Sequence, residues 1–140
     1  SSGCNRVPIE MAELFQKQGI KVVALVSKLH SNASKTKDTR GKKLSDFADL
    51  ILDTGAPVGD AMIDIQGLDT PVSPGSTLGG CLVINSIKAE VAQRLTDAGQ
   101  PPKVLTAGAV IGAERATEIF QAAYDEHGRR LSRYYATLGI

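Results

Sequence analysis

Residues 20–27, IKVVALVS, are an unbroken apolar and β-branched run lying between a helical pattern and a polar loop. A strand covered on both faces looks like this, and parallel sheets supply such strands. DLILDT (49–54) repeats the signal, and PVGDAMIDI (57–65) alternates imperfectly, as a strand or an edge strand does. Helical patterns separate these runs, so the order of elements predicts an α/β protein whose parallel sheet is wrapped by helices.

The helical patterns can be placed individually. VPIEMAELFQKQG puts Pro8 in a first turn and Gly19 just past the end, with Val7, Met11, Leu14 and Phe15 on one apolar face. Residues 28–43 read as a polar loop and 43–49 as a short helix. A long helix over about 76–98 carries Leu78, Cys81, Leu82, Val83, Ile84 and Ile87, and its first half is apolar nearly all round. It is expected to be the most buried helix of the domain or to lie in a subunit interface. Gly99 and the Pro101-Pro102 pair end it. Residues 101–108 have room for one short strand, and a last amphipathic helix spans about 110–135. No internal repeat, linker or low-complexity tract interrupts the chain.

Composition removes several function classes. Of 140 residues 42% are apolar, enough to form a core, which sets disorder aside. Sixteen Lys and Arg against fifteen Asp and Glu leave +1, which argues against a dedicated nucleic-acid binder. The two cysteines, Cys4 and Cys81, cannot staple a secreted mini-protein, and no CxxC pair exists to hold zinc. No apolar run reaches the roughly 18 residues of a membrane span, and no signal peptide opens the sequence. A cytoplasmic domain without membrane or nucleic-acid partners is the expectation. The chain opens on SSGCN with a helix directly behind it, and in α/β proteins such a turn follows a strand. An upstream half of the same domain is therefore expected; the alternative is a Ser-Ser-Gly scar from an expression tag.

Ligands of open parallel sheets bind beyond the carboxyl ends of the strands, where helix N-termini point. SSGCN has the parts of an anion cradle there: Ser1, Ser2 and Asn5 offer short polar side chains, Gly3 permits close approach to the backbone, and a helix dipole follows. The other reading is an ordinary strand-to-helix turn with a serine or asparagine cap. VSPGST (72–77) repeats the theme, with Ser76 and Thr77 as cap or ligand residues. Ser27 and His30 follow the 20–27 strand, Ser27 as a binding candidate and His30 as a proton carrier or a surface residue. Glu10 is read in the first turn of the first helix, as a second proton-transfer candidate or simply a partner of the helix dipole. Asp60 is a candidate base, or Asp53, Asp60 and Asp64 together form an acidic rim or a weak cation site, and His127 looks structural. Residues 28–43 hold six Lys or Arg against Asp38, a solvated loop or a rim that steers an anion. No spacing yields a metal triad, a Ser-His-Asp set, GxGxxG or GxxxxGK[ST], so no metal or cofactor is expected and a nucleotide-binding domain is the weaker reading.

SSGCNRVPIEMAELFQKQGIKVVALVS resembles the central strand-turn-helix-strand of the sugar isomerase (SIS) domain, whose usual turn reads Ser-x-Ser-Gly-x-Thr/Asn and holds a sugar phosphate. Residues 28–77 are similar to one bacterial branch of that family, and the match covers about residues 1–98. The resemblance implies a five-stranded parallel sheet between two helical layers, of which this chain is the C-terminal part without the first strands and helices, and a homodimer with sites near its interface. It implies that Ser2 and Asn5 match phosphate-binding positions of the turn, that Ser1 matches the residue between the two serines, and that the first serine would precede residue 1. VSPGSTLGG resembles the second substrate-contacting turn, which puts Ser76 and Thr77 near the ligand. Glu10 and His30 rest on position and match no catalytic motif of the family, whose bases are often glutamates of the first half or of a neighbouring subunit.

The function so expected is action on a phosphorylated hexose or amino sugar, such as N-acetylglucosamine 6-phosphate. Removal of the C2 proton gives an enediol or enolate. Reprotonation at C1 then isomerises the sugar, and loss of the C3 substituent makes the protein a dehydratase or etherase. The VPIEMA turn also resembles the lyase branch. The alternative is a phosphosugar sensor without catalysis.

Overall fold

The computed structural model describes residues 1–139. Its elements are α1 (Arg6–Lys17), β1 (Val23–Val26), α2 (Lys28–Ala33), a 3-10 turn (Leu44–Phe47), β2 (Leu50–Asp53), β3 (Ala61–Ile63), β4 (Val72–Pro74), α3 (Gly75–Asp97), α4 (Gly108–Ile111) and α5 (Ala113–Leu138). The protein is mixed α/β, with helices in the majority. Two compact units divide the chain, Ser1–Lys88 and the residues from Ala89 on, with the boundary inside α3.

In the first unit the two apolar runs pair as expected. β1 and β2 are parallel, with Val23 opposite Leu50 and Val26 opposite Asp53. Only one face of β1 is fully covered, however: Ala24 and Val26 are buried, as is Val22 before them, whereas on the other face Leu25 is half-buried and Val23 is 56% exposed. The run is therefore apolar on both faces but fully packed on one. The buried apolar set is completed by Cys4, Ile9, Ala12 and Ala56. On α1 this overturns the predicted face. Ile9 and Ala12 are the buried residues, and Val7, Met11, Leu14 and Phe15 form a second apolar stripe that stays exposed.

The third predicted strand does not join the parallel pair. β3 pairs antiparallel with β4, Ala61 opposite Pro74 and Ile63 opposite Val72, so part of the predicted VSPGST turn is itself a strand. Residues 28–43 contain α2 rather than loop alone, because Ser27 caps a helix there. No strand forms over 101–107, where the proline pair removes donors. Gly112, at φ +86°, splits the last helical pattern into α4 and α5. Of the two expectations for the long helix, burial within the domain is not what the structure shows. In α3 only Gly75 is buried, and Leu78 and Leu82 are 64% and 70% exposed.

One close approach fixes the start of α3 against the end of β2. A Cβ added at Gly79 would lie 2.1 Å from the carbonyl oxygen of Thr54, the residue after β2, whereas one at Gly80 would meet only Leu25 Cδ2 at 3.7 Å. Backbone cannot yield as a flexible side chain does. Gly79→Ala is therefore expected to destabilise the protein by about 2 kcal/mol or more. Gly80→Ala should be neutral or stabilising by up to about 1 kcal/mol through helix propensity. Paired urea unfolding curves of the full-length protein check this, and equal midpoints for the two variants would show that the approach is not limiting.

Candidate anion-binding site

The SSGCN turn is clasped at the carboxyl end of β1 by its own carbonyl groups. Ser27 N–H donates to Ser1 O, Leu44 N–H to Gly3 O and Lys37 N–H to Cys4 O, each at 2.9 Å. Gly3 stands at φ +65°, and a side chain there would press on Leu44 and Val26 at 3.0 and 3.1 Å, so glycine is required twice over. Cys4 is buried with its Sγ near Ser31 and Ser34 oxygens, which anchors the turn and gives the thiol a packing role. Ser2 Oγ accepts from Cys4 N–H at 3.3 Å and keeps its own proton to donate.

Three helix N-termini gather around the ends of this parallel pair, and their amides differ in how they are satisfied. At α2, Ser27 Oγ accepts from His30 N–H at 3.1 Å and Asp53 Oδ1 accepts from Lys28 N–H at 3.1 Å. The Gly55 and Lys28 amides hold the Asp53 carboxyl below its ordinary pKa. At α3, Asp60 accepts from Ser76 N–H at 2.8 Å and from Ser76 Oγ–H at 2.7 Å. At α1, Asn5 occupies the capping position in extended conformation but makes no side-chain cap, and no acidic residue stands in the first turn. A helix start exposes amides that need partners and carries positive potential. Of these three, α1 alone presents that potential without a carboxylate or hydroxyl on it.

The predicted site residues separate accordingly. Ser1, Ser2 and Asn5 lie together at the α1 start, with Ser1 and Asn5 exposed. Ser27 is fully buried, and its hydroxyl donates to Ala56 O at 2.6 Å while capping α2, so both its capacities are used inside the protein. Ser76 gives both its donors to Asp60, and Thr77 beside it is exposed. Glu10 is not in the first turn: α1 begins at Arg6, and Glu10 pairs with that residue at 2.6 Å on the exposed surface. His30 lies in α2, where Nδ1 accepts from Gly59 N–H at 3.1 Å. In the neutral ring this puts the proton on Nε2, making His30 a donor rather than a base.

Asp60, which sequence reading offers as a base or as part of an acidic rim or weak cation site, instead caps the start of α3. Its carboxyl is held below the usual range first by the Ser76 hydroxyl, against the cost of burial, and then by the Ser76 amide. Its backbone sits at φ +71°, a conformation that Asp tolerates better than most residues, and it receives Gly75 N–H at 2.6 Å. A signal was available, since an Asp directly after Gly59 is well suited to such a turn. Among the described residues no group of three His, Cys, Asp or Glu could hold a metal ion.

The basic stretch is partly tied down. Arg40 binds Asp38 and Glu13, each at 2.8 Å, and stacks over Phe47 at 5.8 Å. Lys43 Nζ donates to Ser31 O. Lys28, Lys35, Lys37 and Lys42 remain exposed.

Comparison with known proteins gives relatives. No family model matches the chain. It is similar to a UPF0309 protein of Listeria innocua, 35% identical over 131 residues that are 94% of this chain and 52% of that protein. A UPF0309 protein of Halalkalibacterium halodurans is 37% identical over 81% of this chain and 47% of its own length. One from Brucella canis is 39% identical over 76% of this chain and 43% of its own. The chain thus spans about half the length of the curated relatives it matches. Among the described residues no helix is long and apolar enough to cross a membrane.

Two predictions test this corner. Asp60→Ala removes two hydrogen bonds from the start of α3 and is expected to cost about 1–2 kcal/mol in urea unfolding, the usual range for a lost cap. Arg40 holds the Asp38 carboxyl at about 2, against 3.8 for the free group. A depressed acid stabilises fully above its unfolded value and loses that contribution as pH falls through its folded one. Arg40→Met should therefore lie below the wild type in stability at pH 5 and converge with it as pH drops from about 4 to about 2. A gap that stays constant across this window would show that the pair is not what titrates.

Proposed function

We propose that the chain is the C-terminal part of an SIS-type phosphosugar-binding domain and that the start of α1 receives the phosphoryl group. The observation that carries this reading is the bare α1 N-terminus beside two others that the protein fills with its own groups. A phosphate there would take the amides of the first turn, the free proton of Ser2 Oγ and the Asn5 side chain, with exposed lysines of 28–43 raising the local anion concentration. This is narrower than a grip shared between two helix starts, because Asp60 already occupies the second. Thr77, beyond Asp60, is left as a contact for the sugar. A three-layer parallel sheet and a cytoplasmic setting complete the proposal for the whole protein.

The reaction in this reading removes the C2 proton of a ring-opened hexose or amino-sugar phosphate, followed by protonation at C1 or loss of the C3 substituent. The base then comes from the rest of the protein or from a second subunit, since Glu10 is paired with Arg6 and His30 has its Nδ1 engaged. Those two observations favour a second reading, a phosphosugar sensor that binds without turnover.

Thermal unfolding of the full-length protein with glucosamine, N-acetylglucosamine and fructose 6-phosphates tests binding. Ligand at 100 times its Kd should add about 2.7 kcal/mol. Ser2→Ala should weaken that binding about tenfold or more, as expected for a hydrogen bond to a charged group. Incubation in deuterated water separates the readings: exchange at C2 identifies an enzyme, and binding without exchange identifies a sensor. No stabilisation by any of these sugars, or stabilisation that Ser2→Ala leaves intact, counts against the site.

A further inference from the structure

Two residues at the start of α2 hold the loop that follows β2. Ser27 Oγ–H donates to Ala56 O at 2.6 Å, and His30 Nδ1 accepts from Gly59 N–H at 3.1 Å. The loop closes on itself through Asp60 N–H, which donates to Pro57 O at 2.9 Å, with Gly59 at φ +85° and Asp60 at φ +71°. Asp60 in turn takes Ser76 N–H and Ser76 Oγ–H on its carboxylate and Gly75 N–H on its carbonyl. The line of dependence is short: imidazole ring, Gly59, Asp60, start of α3. An aspartate in the left-handed region is strained, and the contacts around it must hold it there.

The two holds respond differently to acid. A serine hydroxyl keeps its proton throughout, so the Ser27 bond is insensitive to pH. An imidazole nitrogen accepts a hydrogen bond only while it lacks a proton, and histidine ordinarily gains its second proton between about pH 5 and 8. With both ring nitrogens protonated, Nδ1–H and Gly59 N–H are two donors facing each other and the bond is lost. A new acceptor stands close by: Ser34 Oγ lies 3.5 Å from Nδ1 and spends its own proton on His30 O, which leaves its lone pairs for the ring. The other ionisable groups around α2 are engaged elsewhere. Asp53 takes the Lys28 amide, Lys43 donates to Ser31 O, and the Cys4 thiol lies near the Ser31 and Ser34 oxygens. The Asp60 carboxylate is the charge on the loop that the ring holds, and it attracts the ring once that is a cation. We propose that His30 is a proton-sensitive clasp. The neutral ring holds the Gly59–Asp60 turn in its left-handed form; the protonated ring turns to the Ser34 hydroxyl, releases Gly59 N–H and loosens the cap that Asp60 places on α3.

The clasp is independent of the sugar-binding reading, and amide exchange in the full-length protein, followed by NMR, tests it. Each rate is corrected for the ordinary pH dependence of exchange, and the charge of the ring is read from its own C–H shifts. Between pH 7.5 and pH 5.5 the protection of Gly59 and Ser76 N–H should fall about fivefold or more. Thr54 N–H, which donates to Val26 O beside the parallel pair, should stay protected. His30→Asn sets an amide oxygen close to where Nδ1 stands and has no proton to gain, so its loop should be protected at both pH values. His30→Ala offers no acceptor, and its loop should be unprotected at both. A ring that stays neutral to pH 5.5 overturns the proposal. So does protection that persists once the ring is charged, or a loss with pH that His30→Asn shows equally.

Discussion

The requirement that the first amides of every helix find partners organises the functional corner of this protein. The chain meets it with carboxylates and a hydroxyl at α2 and α3, drawn from Asp53, Ser27 and Asp60. Each bond also ties a helix start to a loop elsewhere in the chain, since Ser27 caps α2 and donates to Ala56, and Asp60 spans sixteen residues to reach Ser76. Among the described residues no buried side-chain nitrogen or oxygen is without a partner. α4 and α5 also start without a side-chain cap, but of the three helix starts at the ends of the parallel strands only α1 is bare, and a departure from local satisfaction beside a strand end is where function is to be sought.

Several parts of this arrangement could be read from residues alone. β1 and β2 were legible because a β-branched run of the right length between polar segments has few other uses, and their parallel pairing follows from the intervening segment. The α1 start was legible because Gly3 and the short polar residues around it belong to one contiguous stretch. The β3–β4 hairpin was not, since each strand has three residues and the turn geometry rests on Asp60 and Ser73 in left-handed conformations that a sequence seldom announces. Ser76 illustrates the harder limit. Its position at a helix start was predicted, but whether its donors face a ligand or Asp60 is decided by a residue sixteen positions away.

Misplaced burial has a different cause. Hydrophobic periodicity reports which faces of an element avoid water, and it does not report what covers them. On α1, Ile9 and Ala12 turn inward while Val7, Met11 and Leu14 form an equally apolar second stripe. On α3 the first half is apolar nearly all round, yet its large side chains Leu78, Leu82, Ile84 and Ile87 stay exposed. Both helices therefore have the apolar character their sequences announce without the burial within the domain that it suggests. The open face of β1 at Val23 belongs to the same set.

These exposed surfaces are of two kinds, and the difference bears on what covers each. Those on α1, β1 and α3 are aliphatic and nearly uncharged, as core surfaces are, and the aligned relatives are about twice as long as this chain. Such faces suit burial within one folded unit, where shape and apolar area decide the fit. The stripe on α5 is aromatic as well as aliphatic, with Phe120, Tyr124 and Tyr134 exposed along it. At about 100° per residue the charges of this helix, Glu118, Asp125 and Arg129 among them, stand on the opposite face. They hold that face in water and leave apolar and aromatic area, rather than charge, to decide what covers the stripe.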